Sequence, residues 1–287
     1  MRKYAISIMI AALWVHAMSL LVTTEVLPAL REAREARGGL RYADIPEPIA
    51  GTRTVTMTIV RESPADGEAE PVGNLEHTVR ASRGALETRT RINLDVGSLA
   101  GGQSRIPTHT EFTARAVEGE LVSFRMSARL RGTPQPFAQI HGQTVGDRLS
   151  LRVQAMGAEF TQVVPYDAGL VIDPGASPLL ATPELRVGAR WQVRSVDILQ
   201  GRIVQEWANV TGRESIHWRG ENIECYVVEI SGDAGASTAW IDDTGRLVKQ
   251  RTRLFTFVLE DETFTPDDPT DDPHRPADEA LREQDGG

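Results

Sequence analysis

A two-residue alternation of apolar and polar side chains runs through most of the chain between Gly51 and Leu259. Its clearest example sets the apolar residues Leu149, Leu151, Val153 and Ala155 against the polar residues Arg148, Ser150, Arg152 and Gln154. Successive side chains of a β-strand point to opposite faces of the sheet, so this period predicts strands with one buried face. Because no helical pattern separates the alternating segments, parallel βαβ units are disfavoured. The sequence predicts a mainly β protein with an antiparallel sheet of about ten strands.

A segment rich in proline and glycine, residues 165–185, divides this β-domain, residues 51–259, into halves 51–164 and 186–259. The interruptions come at Pro165, Gly169, Pro174, Gly175, Pro178 and Pro183. They recur too often for a strand or helix to persist. Either two β-units or one continuous sheet would accommodate such a segment. Because the roughly 75 residues of the second half make a thin core alone, we favour one curved sheet or half-barrel.

The chain begins with an uncharged, mostly apolar run at residues 4–24, directly after Arg2 and Lys3. Crossing a bilayer takes about 20 such residues. An Ala-x-Ala-like cleavage pattern is missing, so an uncleaved transmembrane helix is favoured over a cleaved signal peptide. Residues 25–50 are expected to form a juxtamembrane helix and linker. We expect a single-pass inner-membrane protein with its β-domain in the periplasm, although arginines on both sides of the helix leave its orientation open.

The formal charge of −9 resides entirely in residues 260–287, which contain eleven acids against two arginines. With four prolines and few apolar residues, this segment has too little apolar surface to offset the entropy of ordering. The sequence therefore predicts a disordered acidic tail. The remainder of the chain is formally neutral, which argues against nucleic acid as a partner.

Three motifs in the second half follow one another in a recognisable order. They are Val187-Gly188-x-x-Trp191, the segment Gly220 to Ile230 with Cys225 in it, and Ala239-Trp240-Ile241-Asp242-Asp243-Thr244-Gly245 continuing to Lys249. This part of the chain, residues 186–259, resembles bacterial envelope proteins of the lipoprotein-sorting carrier (LolA-like) superfold and their uncharacterised relatives. The resemblance implies a curved antiparallel sheet that cradles acyl chains or scaffolds partners. A retained membrane anchor departs from the freely shuttling carriers.

The candidate binding residues are cations and large aromatic side chains. The last predicted strand, Arg246 to Leu259, places Lys249, Arg251 and Arg253 on one face. Further candidates are Arg125, Arg129, Trp240 and Phe257. Such residues suit an anionic headgroup, an acidic patch of a partner, the chain's own tail or an apolar ligand, while a solvated sheet face is the simplest interpretation.

Residues that often carry catalysis or bind metals form no recognisable site in the sequence. Histidines 77, 109, 141 and 217 lack the spacing of a zinc site and are predicted to lie at the surface or in turns. Cys225 sits in an apolar strand, which predicts a buried and unreactive thiol. Asp242-Asp243-Thr244-Gly245 predicts a hairpin turn. We therefore expect no catalytic residue, metal or cofactor.

These features predict a non-enzymatic, membrane-anchored periplasmic protein that holds a partner protein or an apolar, lipidic ligand on a curved β-sheet. A structural subunit of a membrane-anchored envelope or secretion assembly is the alternative. A hydrolase comes third, because a grouped nucleophile, base and oxyanion donors are not identifiable.

Overall fold

The computed structural model describes residues 50–62, 69–82, 84–96, 106–155, 157–166, 171–173, 185–197, 202–232 and 235–267. The predicted membrane anchor, the juxtamembrane segment up to residue 49 and the tail beyond Asp267 lie outside these residues. Within the described ranges, no helix has both the length and the apolar character that crossing a membrane requires.

The described residues form fifteen strands, where the sequence predicted about ten. They are β1 (Gly51–Glu62), β2 (Ala69–Ser82), β3 (Ala85–Asp95), β4 (Pro107–Val117), β5 (Glu120–Leu130), β6 (Ala138–Val145), β7 (Arg148–Ala155), β8 (Ala158–Pro165), β9 (Val171–Asp173), β10 (Arg190–Asp197), β11 (Arg202–Trp218), β12 (Glu221–Gly232), β13 (Gly235–Asp242), β14 (Leu247–Arg251) and β15 (Thr256–Pro266).

All fifteen strands belong to one open sheet with the order β8-β7-β6-β5-β4-β3-β2-β1-β15-β14-β13-β12-β11-β10-β9. Strands β8 and β9 form its two edges. Every neighbouring pair is antiparallel except the short β9, which pairs parallel with β10. The two halves of the domain are joined where β1 pairs with β15, from Gly51 opposite Pro266 to Val60 opposite Thr256. The predicted mainly β, antiparallel architecture is confirmed.

Two predicted boundaries in the last part of the chain are wrong. The single strand predicted from Arg246 to Leu259 is two strands, because Thr252 closes a turn with Phe255: their backbone N–H and C=O groups bond at 2.8 Å. Strand β15 also continues to Pro266, seven residues into the predicted tail. The acids in this extension have partners, since Glu262 pairs with Arg53 and Asp261 with Arg219.

One face of the sheet, here called the core face, carries two apolar clusters. The first comes from β4 to β8 and includes Leu149 and Leu151, which are 0% and 1% exposed. The second joins β1 and β2 to β11–β15 and includes Met57 and Phe257. Apolar side chains buried this fully supply most of the stability of a β-domain.

Polar side chains lie between these clusters on the core face. His77 on β2 is 2% exposed, and its Nδ1 lies 2.8 Å from the hydroxyl of Thr90 on β3, which is equally buried. The other ring nitrogen of His77, Nε2, has no hydrogen-bond partner among the described residues. Burial, together with the positive charge of Arg53, lowers the pKa of His77 from 6.5 to about 4. The expectation that His77 lies at the surface is therefore wrong.

Candidate functional site

The face opposite the core carries a row of cations across β5, β6 and β7. Arg125, His141 and Arg152 are direct cross-strand partners, so their side chains project side by side from the same face. The strands lie about 4.8 Å apart, which places the three groups within roughly 10 Å of one another along the sheet. We call these three residues the Arg125 row.

The charges of this face are unevenly balanced. Arg89 and Arg91 on β3 form ion pairs with Glu111 and Glu76. By contrast, the exposed Arg125 and Arg129 on β5 have no ion pair among the residues that the structure describes.

The charges of these arginines also act on the neighbouring histidines, whose pKa values are lowered first by burial and then by the arginines, while Glu111 opposes the shift of His109. Burial, followed by the charges of Arg125 and Arg152, lowers the pKa of His141. Burial, followed first by the charge of Arg129 directly across from it, lowers the pKa of His109. This face is consequently a cationic surface available to an anionic group.

A second group of cations on the same face surrounds Trp240 on β13. The ammonium of Lys249 lies 5.0 Å from the centroid of the Trp240 ring, and the guanidinium carbon of Arg251 lies 5.6 Å from it. The indole Nε1 of Trp240 donates a 2.7 Å hydrogen bond to Glu214 on β11. Trp240 is only 5% exposed, because it packs in a third apolar cluster with Cys225 and Val248 on this face, and the two cations add cation–π contacts to its ring. We call Trp240, Lys249, Arg251 and Glu214 the Trp240 cluster.

The predicted site residues therefore do not form one surface. Lys249, Arg251 and Trp240 come together, whereas Arg253 lies in the turn between β14 and β15. Phe257 points to the core face, opposite Gln250, and belongs to the second apolar cluster. Arg125 and Arg129 lie on β5, six positions from β14 in the sheet.

Asp242 and its neighbours form the predicted hairpin turn between β13 and β14. The carboxylate of Asp242 accepts hydrogen bonds from the backbone N–H groups of Thr244 and Arg246, both at 2.9 Å, and from their side chains. Burial raises the pKa of Asp242, but the hydrogen bonds from Thr244 and Arg246 outweigh it and hold the pKa below its ordinary value. Gly245 adopts a positive φ of 81° in this turn. The carboxylate thus has a structural role.

Cys225 on β12 is fully buried, and burial, with the negative charge of Asp242 next, raises the pKa of its thiol to about 11. The thiolate fraction near neutral pH is then about a hundredfold below that of an ordinary thiol. We expect native protein to react with the thiol reagent DTNB at least roughly a hundredfold more slowly than protein in denaturant, measured by release of thionitrobenzoate. Fast reaction of the native protein would mean that β12 opens readily.

His141 and Arg152 were not identified as site residues from the sequence. Arg125 was the one residue of the row that the sequence indicated, since an arginine in an alternating strand projects away from the core. Its neighbours depend on strand pairing, which joins residues 16 and 11 positions apart in the chain.

The described strands define a mainly antiparallel β-protein built on one open sheet. In fold, the chain is similar to the crystal structure of a β-barrel-like protein of a domain of unknown function, DUF1849, from Brucella abortus. The TM-score is 0.50 at 9% sequence identity, and the match covers 76% of this chain and 100% of that one. No protein-family model and no curated protein matches the chain. The narrower resemblance to the LolA-like superfold stays a prediction.

Proposed function

We propose that this protein is a non-enzymatic binding protein that holds an acidic partner protein against the Arg125 row. The observation that carries this proposal is the direct register of Arg125, His141 and Arg152 on an exposed face. A planar guanidinium binds a carboxylate with two parallel hydrogen bonds, so arginines in register favour a surface that presents acids.

The packing of the core face favours the opposite face as the binding surface. Leu149, Leu151 and Met57 are at most 1% exposed, because neighbouring core side chains already cover them. An apolar ligand on that face would have to displace these contacts, at a cost of several kcal/mol. We therefore prefer a partner protein to a lipidic ligand.

The residues that flank the Arg125 row favour a protein surface over lipid headgroups. Ser127 and Gln139 lie on one side of the row, and Gln143 and Ser150 lie on the other. Hydroxyl and amide groups both donate and accept hydrogen bonds, as the exposed groups of a protein also do. The phosphate of a lipid headgroup only accepts hydrogen bonds, whereas the carboxylate, amide and hydroxyl groups of a protein surface meet both the arginines and these flanking side chains.

We also propose that the sheet is curved around the β13–β14 hairpin. In a flat sheet, β11 and β15 would lie about 19 Å apart, because four strand spacings separate them. Trp218 at the end of β11 nevertheless donates a 2.6 Å hydrogen bond from Nε1 to the carbonyl of Leu259 on β15. A bend of this kind supports the β-barrel-like class and agrees with the curved sheet that the LolA-like resemblance implies.

The cellular setting that we propose rests on the sequence. Residues 4–24 would anchor the chain in the inner membrane and residues 51–267 would lie in the periplasm. A role as a structural subunit of an envelope assembly is the second candidate, since such a subunit would hold a fixed neighbour by the same surface.

A photo-crosslinking residue at Gln143 tests the proposal. Gln143 is exposed and lies directly opposite Ser150, one row away from Arg152. We expect irradiation of cells that make the full chain to join it to a discrete acidic protein. The yield should fall roughly tenfold when Arg125→Glu and Arg152→Glu are introduced together, because like charges then face each other.

Arg253→Glu is the control, since it reverses the charge of one exposed cation outside the row. It should leave the crosslinked product unchanged. A product that survives the double charge reversal would contradict the proposed surface. Binding to vesicles that contain phosphatidylglycerol, without any protein product, would show that the partner class is wrong.

A further inference from the structure

We infer that residues 268–287 dock on the Arg125 row and occupy it when no partner is bound. This inference uses the surface on which the proposed function also rests, but it concerns a contact within one chain. The observations behind it are the absence of an ion pair for Arg125 among the described residues, the charge of the segment and the point at which β15 ends.

The charges are complementary. Residues 268–287 contain seven acids and two arginines, a net charge of −5. Arg125 has no ion pair among the described residues, and Arg152 reaches only the exposed Glu159, at 3.4 Å. An acidic segment near these cations gains attraction that falls as the ionic strength rises.

The end of β15 brings this segment within reach of the row. Thr263 belongs to the same cross-strand row as Arg125, through Thr54, Thr78, Arg89 and Thr113. Five strand spacings between β15 and β5 amount to about 24 Å, and the four residues from Thr263 to Asp267 add about 13 Å along the strand. Twenty residues span up to about 66 Å when extended, so the segment reaches Arg125 and also Arg152.

The Trp240 cluster is the less suitable place for the same segment. Arg251 pairs with Thr256 at the beginning of β15, eleven residues and therefore about 36 Å from Asp267. Both Lys249 and Arg251 already lie against the ring of Trp240. An acidic segment would have to compete with these cation–π contacts, whereas Arg125 is exposed and has no ion pair among the described residues.

Two spin labels measure the contact in the full chain with no partner present. Thr161→Cys places one label directly opposite Arg152, and Ala280→Cys places the other in the acidic segment without changing its charge. Labelling is selective because Cys225 is buried and its pKa is raised. At low ionic strength we expect a short, narrow distance between the labels. Arg125→Ser with Arg152→Ser should lengthen the mean distance by roughly 10 Å and broaden it.

Arg253→Ser is the control, because it removes one exposed cation outside the row, and it should leave the distance unchanged. A broad distribution that the two row substitutions do not alter would overturn the inference. A distribution that only Arg253→Ser broadens would also overturn it, by placing the segment near the β14–β15 turn. Because no partner is present, either failure leaves the crosslinking test of the proposed function intact.

Discussion

Lowering the pH from 6.5 to about 4 is expected to reduce the free energy of unfolding by about 3 kcal/mol through His77 alone. In the unfolded chain this histidine binds a proton near pH 6.5, whereas in the folded chain burial and Arg53 hold its pKa at about 4. The unfolded state therefore binds more protons throughout this window, and stability falls as the pH falls. Below about pH 4 both states are protonated and the loss is complete. Urea unfolding at a series of pH values measures it.

His77→Gln removes the titrating ring but keeps a polar group beside Thr90. The slope of unfolding free energy against pH should become shallower by the contribution of His77, while the weaker contributions of His109 and His141 persist. His217→Gln is the matched control, because His217 is exposed at the end of β11 and lies outside the core. Equal slopes in the native sequence and His77→Gln would show that His77 does not stay neutral in the fold.

The sequence predicts those strands whose core-facing residues are all apolar. The alternation around Leu149 and Leu151 matches β7, and the predicted hairpin turn at Asp242 to Gly245 follows the end of β13. The alternation of residues 86–96 likewise matches β3, although Thr88 and Thr90 occupy two of its buried positions. In β2, by contrast, the buried His77 interrupts the apolar core-face positions, so the alternation describes this strand poorly. The burial of these polar side chains depends on neighbours that only the assembled sheet supplies.

The candidate site was predictable only in part. The two-residue alternation of apolar and polar side chains identifies the face of β5 from which Arg125 projects. The neighbours of Arg125 on that face depend on the register of β5, β6 and β7. Loop lengths and turns set that register; one of them is the β6–β7 turn, where Gly146 adopts a φ of 60°. The position of Arg253 in a turn was not predicted for a similar reason. The hydrogen bonds of Thr252 that end β14 do not change the pattern of apolar and polar residues.

Gly142→Val is expected to destabilise the protein by about 3 kcal/mol, because β6 has no room for a side chain at this position. Gly142 lies directly opposite Phe124 on β5, whose ring covers the glycine. A Cβ at residue 142 would overlap the ring carbons Cε1, Cδ1 and Cζ of Phe124. The ring is 4% exposed and packs against Phe112 with centroids 5.9 Å apart, so it has no free direction in which to move. The urea midpoint should fall while the slope of the transition stays constant.

Gly212→Val is the matched control, since Gly212 also lies in a strand and a Cβ there meets nothing within 4 Å. Its effect should be below about 1 kcal/mol, because valine is well tolerated in strands and no ring is displaced. Combining Gly142→Val with Phe124→Leu should recover part of the loss, since the smaller side chain vacates the space that the new Cβ needs. Additive effects of the two substitutions would contradict the direct contact, because residues that share one space couple energetically.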